Sequence, residues 1–254
     1  MEQHTAGEYE DILSLSSNIV RLRKPSHMQH ILFFDIDGTM LSTGGAGQQA
    51  MELALVEDFR IQFPFEGVLT AGRTDRGIAD EIFSRYELED SPAERDRFMR
   101  SYLERLPRAL ETLPGAVLPG VQELLTQLQR DSNIHLSLLT GNYVEGAWIK
   151  LRHFGIDHFF ETGGFGDHHA LRDDVARIAV ENVRGHLNHP VPDGMACVIG
   201  DTPADISCAR AINARAVAVA TGMYSFAELQ PHNPDHLFSD LSDTAAVVQS
   251  LLQA

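Results

Sequence analysis

Four short apolar runs, each tied to a stretch with helical spacing, constrain this chain more than any other property. They are His30–Phe34 (His-Ile-Leu-Phe-Phe), Ile134–Leu139, and residues 196–199 and 216–220. Each reads as a buried strand. Between and around them, Val121–Leu128 repeats apolar residues at Val121, Leu124, Leu125 and Leu128, and residues 144–154, 173–187 and 204–212 behave likewise. Strands that alternate with helices form βαβ units, and right-handed crossovers wind them into an open sheet with helices on both faces. The predicted class is α/β, with a doubly wound, mostly parallel sheet.

Residues 45–115 break the alternation, since they hold no convincing buried strand. Ala46–Phe59 and residues 74–86 have helical apolar spacing. Ser91-Pro92-Ala93-Glu94 is a capping box with proline at the first helical position, so a long helix should follow. Pro107 is expected to kink or end that helix. Gly44-Gly45 and Leu113-Pro114-Gly115 are plausible hinges at the two ends. The reading is a core of residues 30–44 plus 116–254, a helical insertion at 45–115, and a loosely tied extension at 1–29.

Composition narrows the partners. The formal net charge is −16, and such a surface repels phosphodiester backbones and anionic lipid. Nucleic acid and membrane are therefore poor partners. No apolar run is long enough for a transmembrane helix, and no basic start with an apolar core marks a signal peptide. Cys197 and Cys208 are the only cysteines, too few for a disulfide framework, so a reducing cytoplasm is the expected location. Lysine is scarce: of 20 basic residues only Lys24 and Lys150 are lysines.

The chemistry concentrates where the apolar runs end, because ligands in open α/β sheets bind beyond the carboxyl ends of the strands. Asp35-Ile36-Asp37-Gly38-Thr39 follows the first run. Two carboxylates this close repel each other unless a cation neutralises them, and hard oxygens suit Mg²⁺. A plain Asp- and Gly-rich turn is the bland alternative. Thr140-Gly141-Asn142 ends the second run. A hydroxyl, a glycine amide and a carboxamide before a helix can cradle phosphate, or simply cap the helix. Asp201 ends the third run within Gly200-Asp-Thr-Pro-Ala-Asp205, well placed as a metal ligand. Asp205, near a helix start, can serve the helix dipole alone. In the insertion, Thr74 or Asp75 is a natural N-cap, and Arg73 is placed to reach a substrate carboxylate or phosphate.

Together these segments resemble the haloacid dehalogenase superfamily. Asp35-Ile-Asp-Gly-Thr39 is similar to its first motif, Thr140 to its second, and Gly200-Asp-Thr-Pro-Ala-Asp205 to its fourth. Leu118-Pro-Gly-Val121 and Val219-Ala-Thr-Gly222 extend the likeness toward the phosphoglycolate-phosphatase-like branch, whose insertion after the first motif is a C1 helical cap. The resemblance implies a Mg²⁺-dependent phosphatase of a small phosphorylated metabolite. It implies that Asp35 attacks phosphorus and forms an aspartyl phosphate, while Asp37 protonates the leaving group and then activates water. It assigns the metal to Asp35, the main-chain carbonyl of Asp37, and Asp201. Thr140, Gly141 and Asn142 are expected to hold the phosphoryl oxygens.

One departure stands out. The family's third motif is usually a lysine, whereas the corresponding segment here, from Gly166 to Asp174, has none. Arg172 is expected to fill the role, since its fork suits phosphate. Lys150 is the competitor, but roughly 12 Å of helical rise past Thr140 should carry it away from the strand ends. Asp37 argues against a dehalogenase, which lacks that second acid. The absence of lysine from residues 25–149 excludes a Schiff-base phosphonate hydrolase. A phosphomutase of the same superfamily, or a non-catalytic phosphate- and Mg²⁺-binding protein, remains open.

Overall fold

The structure, a computed structural model, describes residues 30–188 and 194–253; the expectations for residues 1–29 lie outside them. The chain runs β1 (His30–Phe34), β2 (Leu41–Ser42), α1 (Ala46–Phe59), α2 (Asp75–Arg85), α3 (Pro92–Thr112), β3 (Ala116–Val117), α4 (Val121–Leu128), β4 (Ile134–Leu139), α5 (Val144–His153), β5 (Thr162–Gly164), α6 (Arg172–Leu187), β6 (Ala196–Gly200), α7 (Pro203–Ala211), β7 (Arg215–Val219), α8 (Phe226–Leu229), β8 (His236–Phe238) and α9 (Thr244–Leu252). Six strands form one parallel sheet in the order β5-β4-β1-β6-β7-β8. The chain builds outward on one side of β1, then returns to build outward on the other. That reversal creates a crevice beyond the carboxyl ends of β4, β1 and β6.

Strand alternation divides the core. Leu32 and Phe34 pack with α4, α5 and α9, whereas Ile31 and Phe33 pack with α6, α7 and α8. Both faces of the sheet are thus covered, which explains why its strands read as unbroken apolar runs.

Helices α1–α3 lie between β2 and β3, an antiparallel pair that joins Leu41 to Val117 and Ser42 to Ala116. They enclose a hydrophobic cluster of their own around Leu55, Ile82, Phe83, Phe98 and Leu106. Phe83 and Phe98 meet edge to face at 5.9 Å. Ser91 caps α3 through the Glu94 amide, with Pro92 in the first turn. Of the two outcomes expected at Pro107, a kink or an end, the end does not occur: α3 continues to Thr112. Leu106, Ala109 and Leu110 are buried on either side of it, and that packing outweighs one missing backbone bond. The two-residue strands β2 and β3, and the short β5 and β8, carry too few residues for a readable alternation.

Candidate active site

Three adjacent central strands deliver the site. Asp35 and Asp37 follow β1, Thr140–Asn142 follow β4, and Asp201 follows β6. These residues, with Arg73, Lys150 and Arg172, line one cavity of about 520 Å³, within the range of small-molecule sites.

Asp35 is buried and its amide donates to Ile199 O at 3.0 Å. Arg172 Nη2 lies 3.2 Å from Asp35 Oδ1 and also pairs with Asp205 Oδ1. Burial pushes the Asp35 carboxyl up to about 7; Arg172 opposes this, while Asp205 and Asp37 add to it. Burial also raises Asp201, to about 8, with Asp205 and Asp35 as the next causes. Thr39 Oγ1 donates to Asp201 Oδ1 at 2.9 Å. Gly38 sits at φ +82°, and a Cβ there would lie 2.4 Å from Asp201 Oδ2. The motif therefore needs glycine both for its turn and for room beside the carboxylate.

One carboxylate oxygen from each of Asp35, Asp201 and Asp205 lies within 4.8 Å of the others. Arg172 pairs with two of these three buried acids, Asp35 and Asp205, and a hard divalent cation fits the donor set that remains short of positive charge. Asp205 is already engaged: Oδ1 takes Arg172, while Oδ2 takes the Thr202 amide at 3.0 Å and its hydroxyl at 2.7 Å. It completes the capping box of α7 and holds Arg172 in place. Asp35 and Asp201 are left to meet a metal.

Asp37 is surrounded differently. Its Oδ2 accepts from Lys150 Nζ at 2.6 Å and from Asn142 Nδ2 at 2.8 Å; Thr43 donates to Oδ1 at 3.3 Å. Enclosure alone would raise its carboxyl, but the charge and hydrogen bond of Lys150 outweigh that, helped by Asn142 and Thr43, and hold it below the usual range. Asn142 Nδ2 also donates to Thr140 Oγ1 at 2.7 Å, and its Oδ1 accepts from Lys150 at 2.6 Å.

The expectation that Lys150 lies away from the strand ends is corrected here. Its ammonium is buried beside Asp37. Helix α5 starts at Val144, and Gly146, Ala147 and Lys150 share its buried side. Helical side chains tilt toward the N-terminus, so the long lysine stem recovers most of the rise. The scarcity of lysine was the available signal. Arg172 also reaches the site, so both cations meet the aspartates.

Arg73 lines the cavity, but its guanidinium is engaged within the insertion. It bonds Glu81 at 2.5 Å, Gly77 O at 2.8 Å and Leu69 O at 3.1 Å. The substrate contact expected of that guanidinium is not what this arrangement presents. Thr74 caps α2, its hydroxyl accepting from the Gly77 amide at 2.9 Å. Asp75, read only as a possible cap, is a buried member of the cavity wall. Its amide donates to Gly141 O at 2.7 Å, and its Oδ2 accepts from the Tyr143 amide at 2.8 Å. Burial raises its carboxyl to about 7 against the pull of Lys150. A Cβ on Gly141 would lie 2.1 Å from Arg73 O, so that glycine admits the insertion onto the sheet.

The comparisons with known proteins agree with this geometry. A profile of haloacid dehalogenase-like hydrolases matches residues 32–210. A phosphoglycolate phosphatase of Caulobacter vibrioides is 28% identical over 197 residues, covering 74% of this chain and 78% of that protein. One from Pseudomonas syringae pv. tomato is 25% identical over 221 residues, covering 83% and 76%. The crystal structure of a hydrolase from Pseudomonas syringae superposes with a TM-score of 0.66 at 19% identity, covering 89% of this chain and all of that one.

Proposed function

This chain belongs to the haloacid dehalogenase-like hydrolase family, and on that premise we propose that it hydrolyses a small phosphate monoester through an aspartyl phosphate on Asp35. The observation that carries the reading is the convergence of Asp35, Asp37, Thr140 and Asp201 on one cavity, with Arg172 against the first of them. The names of the phosphatase relatives support the same reaction class.

Phosphoryl transfer requires alignment and neutralisation of charge more than covalent assistance. Asp35 Oδ attacks phosphorus, the ester oxygen leaves, and an acyl phosphate forms; water then displaces phosphate and restores the carboxylate. The charge of a bound phosphate opposes that of Lys150 and raises Asp37, which then carries the proton that it hands to the leaving oxygen; as a carboxylate it later takes one from water. Lys150, Asn142 and Thr43 fix the orientation of Asp37 for both transfers. Thr140 and the amides after it hold phosphoryl oxygens, and Arg172 offsets their charge beside Asp35. Magnesium, held by the Asp35 and Asp201 carboxylates and the Asp37 main-chain carbonyl, would neutralise the charge that these groups and the phosphate share. Helices α1–α3 act as a lid that excludes water and supplies specificity contacts.

The test is phosphate release from p-nitrophenyl phosphate with magnesium, with chelator, and with the Asp35→Asn variant. Activity is expected only in the first case. Chelator-resistant turnover, or turnover by the variant, overturns the mechanism.

A further inference from the structure

The insertion grips the core at one short segment, residues 141–143, which joins Thr140 to α5. Gly141 O accepts from the Asp75 amide at 2.7 Å, and the Tyr143 amide donates to Asp75 Oδ2 at 2.8 Å. One residue of the insertion thus holds both ends of the segment. Two glycines let the parts approach: a Cβ on Gly141 would lie 2.1 Å from Arg73 O, and one on Gly166 would lie 3.0 Å from Thr74 Cβ. The Tyr143 ring is buried in the insertion's own hydrophobic cluster, 6.2 Å from the ring of Tyr102.

The helix that Asp75 begins does not explain its buried carboxyl. Thr74 already caps α2, and burying a carboxyl costs free energy that an exposed one avoids. What the carboxyl reaches is the start of α5, where Tyr143 stands at the N-cap and makes no side-chain cap bond. The Tyr143 amide goes to Asp75, and the next amide, of Val144, goes to Asp167 Oδ2 at 2.8 Å. The contact needs no charge, because a carboxyl oxygen accepts from an amide in either protonation state. Between the two gripped ends lies Asn142, whose side chain bonds Asp37, Thr140 and Lys150. The backbone on either side sets where that side chain points.

We infer that Asp75 is a positioning residue of the reaction: from the insertion it fixes residues 141–143, so that Thr140, the Gly141 amide and Asn142 present one geometry to the phosphoryl group and to Asp37. This rests on the phosphatase reading above. The segment meets the phosphoryl group that every ester shares, so loss of the grip is felt alike whatever the leaving group. The insertion thereby serves the chemistry of substrates that it does not touch.

The test compares Asp75→Ala and Asp75→Ser, which remove the acceptor, with Asp75→Asn, which keeps one. Each is assayed on p-nitrophenyl phosphate and glycerol 3-phosphate, and its binding of inorganic phosphate with magnesium is measured by calorimetry. Asp75→Ala should lower kcat/KM about tenfold or more on both esters, equally within about twofold, and weaken phosphate binding about tenfold. Asp75→Ser gives the same reading where Asp75→Ala does not fold. Asp75→Asn should stay within about threefold of the wild type throughout. Asp167→Ala, which removes the other carboxyl at the start of α5, should also stay within about threefold, since Val144 lies beyond the segment. Wild-type phosphate affinity in the Ala or Ser variant overturns the inference. So do losses that differ tenfold between the esters, a loss in Asp75→Asn equal to that in Asp75→Ala, or an equal loss in Asp167→Ala. Phosphate binding that falls in the expected order, with no hydrolysis of either ester, sinks the phosphatase reading and supports the positioning role. Hydrolysis with equal phosphate binding in all variants sinks the positioning role alone.

Discussion

Asp35 and Asp37 stand two residues apart on one loop, yet the structure gives them opposite surroundings. Asp35 shares Arg172 with Asp205, lies near Asp201, and has its carboxyl pushed up by burial to about 7. Asp37 pairs with Lys150, with Asn142 and Thr43 as further donors, and its carboxyl is held low. The first side is short of positive charge and suits a metal. The second is already neutralised and suits a fixed proton-transfer geometry. Identical side chains thus take separate tasks from their neighbours, as paired carboxylates in enzymes often do.

The contrast can be broken from the nucleophile side first. Asp35→Asn should lower kcat by roughly 10³-fold or more and abolish any acid-trapped phosphoenzyme. Next, Arg172→Ala should lower kcat by roughly 10²-fold. Arg172→Lys, which keeps the charge within a buried acidic cluster, should recover part of that loss. Equal rates for wild type and Arg172→Ala at saturating substrate would remove Arg172 from the mechanism.

The other side should respond less, and in a different observable. Lys150→Met should cost about tenfold in kcat, because proton transfer contributes less than charge neutralisation here. Without the ammonium the Asp37 carboxyl rises, so the limb of the pH–rate profile that reports it should move to higher pH. An unmoved profile would mean that Lys150 acts only on packing.

The carboxyls raised by burial make a prediction about stability. Asp35, Asp75 and Asp201 bind their protons more tightly folded than unfolded. Their contribution is complete below the ordinary carboxylate range and is lost as pH rises through 7 to 8. Metal-free protein should lose several degrees of Tm between pH 5 and pH 8. Asp75→Asn should lose less over that window than the wild type, whereas magnesium should raise Tm more at pH 8 than at pH 5. Parallel melting curves for wild type and Asp75→Asn would refute this account of Asp75. The smallest effect is expected at Arg73: its pair with Glu81 is part-exposed, with side-chain exposures of 31% and 32%, and such pairs are worth at most about 1 kcal/mol. Arg73→Ala should change kcat/KM for any ester by less than about threefold.

Much of the fold was legible because its signals are local. Apolar runs mark buried parallel strands, Ser91-Pro92 marks the start of α3, and the acidic and small polar residues after β1, β4 and β6 mark the crevice. The short edge strands carried too few residues to show a pattern. In the site, Asp35, Asp37, Thr140 and Asp201 were readable because each lies within three residues of the end of a strand. Lys150 and Asp75 were not, because each sits within or at the start of a helix whose facing depends on what it packs against.

The sequence by itself determined the sheet, the helical insertion and the strand-end carboxylates, since these follow from periodicity and chain order. Only the tertiary structure decided which cation serves which aspartate, that Arg73 is tied to Glu81, and that Asp75 lines the same cavity as Asp35. The physical reason is that charge pairing and burial depend on distances through space. Lys150 and Asp37 are 113 positions apart in the chain yet 2.6 Å apart in the fold.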